Sequence, residues 1–208
     1  MIANGSLRLI IMALVVIFLS TAIHELMHAY VALKLGDDLA HSHGRISLNP
    51  LRHIDPFLTV VLPLVLLLLG MQPILAAKPV PINTSRLRGG DMGMAAVGIA
   101  GPLTNLALAC VAALFLRFAS FNSGFLLDFV VLAFKINIGL FVFNMLPLPP
   151  LDGSRLLYAF APEPVQRVME QVESFGIVGV ILVVSLLSPV LGPVLLNIQT
   201  ALAHILIG

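Results

Sequence analysis

Long apolar stretches with few or no charged residues constrain this chain more than any other feature. A helix that crosses the hydrocarbon core of a bilayer needs about 20 mostly apolar residues. Stretches at least that long lie at 9–33, 56–77, 92–116, 125–145 and 174–208. Only 10 % of the residues are charged, whereas a typical soluble domain has roughly 25 %. The sequence therefore predicts an all-α integral membrane bundle, with about five to six membrane segments.

The composition excludes several other classes of protein. Eleven Lys and Arg oppose ten Asp and Glu, so the net charge of +1 gives no basic surface for a nucleic-acid partner. A single cysteine excludes a disulfide scaffold. We expect residues 1–208 to form one transmembrane domain, with a core over 9–160 and accessory membrane helices over 174–208. Pro189 and Pro193 predict that this last stretch is two helical pieces.

Polar and proline-rich segments separate the apolar stretches. Alternating apolar and polar residues at 45–48 (RISL) and 79–82 (PVPI) predict two short strands. The segment 146–153 (LPLPPLDG) is not expected to form a regular helix, because its prolines remove backbone donors and clash with the preceding turn. We therefore expect a small β-strand element and one sharp break beside the membrane helices.

The first apolar stretch contains the motif that carries chemistry, HELMH at 24–28. On a helix, positions i and i+4 share one face, so the imidazoles of His24 and His28 can bind a single Zn²⁺. Glu25 lies beside the first histidine and can take a proton from water that the metal activates. Ionisable residues inside a membrane span are costly, and they usually mark a functional site.

A catalytic zinc site needs a third protein ligand and one open position. Asp152 is a candidate, because it follows a long apolar helix and a proline-rich break, where the chain tolerates irregular backbone only against protein or a cavity. The same Leu-Asp-Gly sequence also begins ordinary turns, so spacing alone leaves the two interpretations open. Glu170 and Glu173 are alternative third ligands.

With these features, the sequence resembles the site-2 proteases, a family of intramembrane zinc metalloproteases. Three elements occur in the family's order over about residues 9–160: HELMH, GPLTN at 101–105, and NMLPLPPLDG at 144–153. Met27 and Ser154 depart from residues that are common in the family, and neither departure removes a ligand.

The resemblance implies roles for particular residues. His24, His28 and Asp152 would bind one Zn²⁺ per chain, and Glu25 would act as general base. Asn144 matches a family position near the scissile bond, where it would stabilise the oxyanion, whereas Asn105 matches a position whose role stays open. The implied partners are the lipid bilayer and a transmembrane protein substrate, whose extended chain would pair with one of the two predicted strands near the active site.

The distribution of basic residues predicts an orientation. If His28 and Asp152 meet, the first and fourth apolar stretches must run in the same direction, and the block 34–91 must leave and return on one side. That side would carry eight basic residues: Lys34, Arg45, Arg52, Lys78, Arg86, Arg88, Arg155 and Arg167. The other side would carry Arg8 and Arg117. Because loops rich in Lys and Arg are cytoplasmic, we expect the N-terminus outside and the active site toward the cytosol.

A membrane metal-binding transporter or accessory protein is the alternative from another class, because it also places histidine and carboxylate groups in the membrane. Transporters usually contain internal repeats, and the sequence has none. This comparison favours the intramembrane zinc endopeptidase.

Overall fold

The computed structural model describes residues 2–52, 79–119 and 124–208, and within these ranges the chain is helical. The α-helices are α1 (Ile2–Lys34), α2 (Leu39–Ser42), α3 (Gly90–Phe118), α4 (Phe125–Asn144), α5 (Asp152–Phe160), α6 (Glu163–Ser174) and α7 (Gly176–Ile207). Short 3₁₀ helices cover Pro50–Arg52 and Thr84–Arg86. The expected membrane segment 56–77 lies outside the described residues.

Four helical stretches in the described ranges are long and apolar enough to cross a membrane: Leu7–Lys34, Gly90–Phe118, Phe125–Asn144 and Pro189–Ile207. The prediction of a helical membrane protein is therefore confirmed in its main feature. The predicted total of five to six segments stays a prediction, because the stretch 56–77 lies outside the described residues.

Helices α1 and α4 run in the same direction, and α3 runs against both. Arg8, near the start of α1, forms an ion pair with Asp128 in the first turn of α4. Asp152, just beyond the end of α4, contacts His24 and His28 in the last third of α1. Contacts from His24 to Asn105 and from His28 to Val97 show that numbers on α3 fall as those on α1 rise. The ends of α1 and α4 therefore meet at one level.

Small residues on α3 allow this close packing. Ala109, Ala112 and Ala113 are buried against the larger side chains of Phe134 and Ile138 on α4. Leucines of α7 pack on the outside of the same cluster. Alternating small and large side chains across facing helices bring the helix axes close without leaving voids, so α3 becomes the central helix of the bundle.

The prediction of two helical pieces in 174–208 is wrong, since α7 is continuous through Pro189 and Pro193. Each proline removes one backbone donor, but it does not change the rest of the ladder. In a membrane, unpaired backbone groups cost several kcal/mol each, so the apolar residues that flank the prolines keep their internal hydrogen bonds and stay helical.

The two predicted strands are not found in the described residues, where 45–48 and 79–82 form no ladder. Pro79 and Pro81 have no N–H to donate, and the N–H of Arg45 donates instead to Ala40. A side-chain contact joins the two stretches, because the Arg45 guanidinium donates to the carbonyl of Pro79 at 3.5 Å and to that of Arg52. The alternation therefore reflects an irregular segment.

The loop that follows α1 is fastened to residues 83–88 through a buried carboxylate. Asp37 is fully buried, and its two oxygens accept from the N–H groups of Asn83 at 2.6 Å and Leu39 at 3.1 Å. The neighbouring Asp38 forms an ion pair with Arg86 at 2.6 Å on the surface. Asp37 therefore ties the end of α1 to the segment that leads into α3.

We predict that Asp37→Ala lowers the free energy of unfolding by about 1–3 kcal/mol, because it leaves two backbone donors without an acceptor in the protein interior. Asp38→Ala is the matched control. It removes an ion pair whose carboxylate is 66 % exposed, so we expect a loss below about 1 kcal/mol. Thermal unfolding of both variants in detergent measures the difference, and equal losses would contradict the assignment of Asp37.

Candidate metal centre

The site begins with two buried histidines one helical turn apart on α1. His24 and His28 are 5 % and 6 % exposed, and their Nε2 atoms lie 2.9 Å apart. Asp152 faces the pair, with Oδ2 at 3.0 Å from Nε2 of His24 and Oδ1 at 3.4 Å from Nε2 of His28. The structure thus brings two imidazoles into contact with a carboxylate, although His28 and Asp152 are 124 positions apart in the sequence.

The second nitrogen of each imidazole is held by an oxygen acceptor on α3. Nδ1 of His24 lies 2.6 Å from Oδ1 of Asn105, and Nδ1 of His28 lies 2.7 Å from the backbone carbonyl of Val97. Because these partners accept, each Nδ1 carries the proton, and each neutral Nε2 presents a lone pair. The two Nε2 lone pairs and the Asp152 carboxylate therefore converge without a donor between them.

A glycine on α3 gives the imidazoles their space. A Cβ atom on Gly101 would lie 2.4 Å from Nε2 of His28 and 2.5 Å from Nε2 of His24, which is closer than real Cβ contacts. This role of the glycine in the GPLTN segment was not predicted from the sequence. The signal was a Gly-Pro pair inside an apolar helix, where glycine is unfavourable unless another group approaches closely.

The break after α4 delivers Asp152. The prediction of no regular helix over 146–153 holds for 146–151 and is wrong for the last two residues, because α5 begins at Asp152 itself. A Cβ on Gly153 would lie 2.3 Å from the carbonyl oxygen of Met145, so the chain folds back tightly on the end of α4. This tight turn places the Asp152 carboxylate against the Nε2 atoms of His24 and His28.

Glu25 lies within this cluster, and Asn144 ends α4 at the start of the turn that leads to Asp152. Possible ligand atoms of His24, Glu25 and His28 all fall within 4.8 Å of one another. Glu25 is half-buried and has no hydrogen bond or ion pair to the other residues that the structure describes. Asn144 is the last residue of α4, next to the Met145 carbonyl that Gly153 contacts. It is half-buried, and its predicted role stays a prediction.

The alternative third ligands lie elsewhere. Glu173 on α6 accepts two hydrogen bonds from the Arg155 guanidinium, one of them 2.9 Å long. Glu170 accepts from the Tyr158 hydroxyl at 2.6 Å, and this hydrogen bond raises the pKa of Tyr158 to about 12. Both carboxylates serve the packing of α6 on α5, so among the three candidates Asp152 alone contacts the histidines.

The donor set fits a zinc ion. Two imidazole nitrogens and one carboxylate are the ligands of a typical catalytic zinc site, which keeps a fourth position open. Three acceptors in contact repel one another, and a cation between them removes that repulsion. The Asp152 side chain is 23 % exposed, against 7 % for each imidazole, so the open side of the cluster is the side of the carboxylate.

Comparisons with known proteins agree with this geometry. The family model described as Peptidase family M50 matches residues 118–187, a range that includes Asp152. The chain is 38 % identical over 192 residues to "Putative zinc metalloprotease YwhC" of Bacillus subtilis, covering 87 % of this chain and 84 % of that relative. It belongs to peptidase family M50, the site-2 protease family.

Two further relatives of this M50 protein extend the likeness. It is 36 % identical over 155 residues to "Putative zinc metalloprotease MJ0611" of Methanocaldococcus jannaschii, covering 74 % of this chain and 73 % of the relative. It is 30 % identical over 175 residues to "Putative zinc metalloprotease Rip2" of Mycolicibacterium smegmatis, covering 83 % and 65 %. No solved structure matches the chain. The M50 protein is a zinc metalloendopeptidase with membrane-spanning helices.

We predict that Asp152→Ala lowers the zinc content of the purified M50 protein by more than about tenfold, because only two ligands remain. Glu170→Ala and Glu173→Ala should keep the zinc content of the wild type, since neither carboxylate contacts the histidines. Elemental analysis after dialysis, with far-ultraviolet circular dichroism to verify folding, measures the effect. Zinc loss in Glu173→Ala and retention in Asp152→Ala would reverse the assignment.

Proposed function

We propose that His24, His28 and Asp152 hold one catalytic Zn²⁺, and that this protein hydrolyses peptide bonds within or near transmembrane helices of other proteins. The single observation that carries the proposal is the convergence of two Nε2 atoms and a carboxylate inside a helix apolar enough to span a membrane. Membership in the M50 family supports the same chemistry.

The depth of the site favours a transmembrane substrate. His24 lies ten residues before Lys34 at the end of α1, which is about 15 Å at 1.5 Å per residue. A peptide bond must reach that depth to be cleaved, and the polypeptides found there are membrane helices. A helix protects its carbonyls by internal hydrogen bonds, so the substrate must unwind locally before cleavage. The proposed partners are thus a transmembrane protein and the surrounding lipid bilayer.

Glu25 is the proposed general base. When bound, Zn²⁺ supplies Lewis-acid activation of a water molecule and of the scissile carbonyl. The Glu25 carboxylate lies within the same cluster and is free of other partners in the described ranges, so it can accept the proton from that water. The same carboxylic acid then returns the proton to the leaving amine nitrogen, which completes hydrolysis without another proton donor.

Asn144 is the proposed donor to the oxyanion. Its amide has two N–H donors, and it ends α4 beside the turn that carries Asp152. A donor aimed at the oxygen where negative charge develops contributes more in the transition state than in the ground state. This role comes from the family resemblance and from the position of Asn144 at the end of the broken helix.

We predict that Glu25→Gln retains zinc but lowers the rate of peptide hydrolysis by about 10²–10⁴-fold, because the amide cannot accept the water proton. Cleavage of single-span substrates, with protein reconstituted in liposomes, measures the rate. Wild-type cleavage by Glu25→Gln would reject the assigned base. Metal transport that persists in this variant, without cleavage by the wild type, would favour the transporter alternative.

We further propose that the N-terminus is outside the cell and the metal centre lies toward the cytosol, on the basis of the basic residues that follow α1, precede α3 and occupy α5 and α6. In a Cys110→Ala background, we predict that a membrane-impermeant maleimide labels Ser6→Cys in intact cells and does not label Gln171→Cys. Labelling of the second variant alone would invert the topology. Permeabilised cells, in which both cysteines should react, are the control.

A further inference from the structure

The two histidines of the metal centre are oriented by chemically different groups. His28 donates from Nδ1 to the backbone carbonyl of Val97, and a carbonyl can only accept. His24 faces the side-chain amide of Asn105, which has an accepting oxygen at one end and a donating NH₂ at the other. Rotated by half a turn, that amide would donate to Nδ1, and a neutral His24 would then carry its proton on Nε2. The Val97 carbonyl permits no such reversal.

A second asparagine removes this ambiguity. Asn105 is fully buried and donates from Nδ2 to Oδ1 of Asn137 on α4 at 3.0 Å. Asn137 is 3 % exposed and donates from Nδ2 to the backbone carbonyl of Ala133 at 2.8 Å. Because the Ala133 carbonyl accepts only, it fixes which end of Asn137 faces it, and Asn137 in turn fixes which end of Asn105 faces His24.

We propose that Asn137 is a positioning residue which, through Asn105, holds the proton of His24 on Nδ1 and so keeps its Nε2 free to bind zinc. The inference rests on the proposed role of His24 as a ligand. The hydrogen bonds all donate in the same direction across three helices. His24 on α1 donates to Asn105 on α3, which donates to Asn137 on α4, which donates to the Ala133 carbonyl on the same helix. Outer hydrogen-bond partners of metal-binding histidines fix the tautomer in this way.

The proposal gives Asn137 a function that packing alone does not require. A leucine at this position would fill a similar volume and avoid burying a polar group in an apolar helix. It would, however, leave Nδ2 of Asn105 without its partner and allow the amide to rotate. His24 would then be a mixture of two tautomers, and only the Nδ1–H tautomer presents the Nε2 lone pair to the metal.

The first test measures zinc affinity by chelator competition in the purified, detergent-solubilised chain. We expect Asn137→Leu to weaken zinc binding by about tenfold or more, the usual effect of removing an outer hydrogen-bond partner. Thr104→Val is the matched control. It removes the 2.8 Å hydrogen bond from the Thr104 hydroxyl to the carbonyl of Ala100. Thr104 is next to Asn105 in the sequence but lies outside the relay, which is the line of hydrogen bonds from His24 through Asn105 and Asn137 to the Ala133 carbonyl. The zinc affinity of Thr104→Val should stay within about twofold of the wild type.

The decisive test is a double-mutant cycle with Asn105→Asp. A carboxylate has two accepting ends, so it accepts from His24 in either rotation and needs no second residue to orient it. In the Asn105→Asp background, Asn137→Leu should no longer weaken zinc binding, because Asn137 has nothing left to orient and its Oδ1 only faces a carboxylate oxygen. In the wild-type background the same change costs about tenfold. An equal loss in both backgrounds would mean that Asn137 acts only by packing, and it would overturn the proposal.

Nitrogen-15 NMR of the imidazoles gives a readout that does not involve zinc. In the zinc-free wild type we expect the Nδ1–H form of His24, and in Asn137→Leu a signal of the Nε2–H form for His24 with His28 unchanged. His24→Ala distinguishes the role of His24 as a zinc ligand from the role of Asn137 in orienting Asn105. Wild-type zinc affinity in His24→Ala would reject the ligand set. Zinc loss in His24→Ala together with wild-type affinity in Asn137→Leu would reject the relay alone.

Discussion

The fold depends on the contact of two imidazoles and one carboxylate at the level where α1 and α4 end. Three groups with lone pairs or negative charge repel one another in an apolar interior unless a cation lies between them. For the three groups to meet, α1 and α4 must run in the same direction, α3 must pack against both with small residues, and a sharp break must bring Asp152 back. Each of these features is present.

Helix α3 contributes almost no reactive group, yet it shapes the site. Gly101 leaves room for the two Nε2 atoms, the Val97 carbonyl orients His28, and Asn105 orients His24. Buried polar groups in a low-dielectric interior are costly unless they have hydrogen-bond partners. Both asparagines have a partner at the amide oxygen and another at the amide nitrogen, and so the pair is tolerated among apolar helices.

Several features were predictable from local sequence. The apolar spans follow from length and absence of charge, the helical spacing of HELMH places both histidines on one face, and the prolines of 146–153 forbid a helix. The two strands and the interruption of α7 were predicted wrongly. Alternation over four residues does not define a ladder partner. In an apolar environment, breaking further backbone hydrogen bonds beside a proline costs more than keeping the helix continuous.

The sequence by itself determined the apolar helices of a membrane protein and a helix with two histidines on one face, because hydropathy and i, i+4 spacing are local properties. It left Asp152 open between a ligand and a turn residue, with Glu170 and Glu173 as rivals. Only the tertiary structure decided which carboxylate meets the histidines. That contact depends on how α1, α3 and α4 pack, because it joins residues more than 120 positions apart in the sequence. The roles of Gly101 and Asn137 likewise arise from contacts between helices, which no single segment encodes.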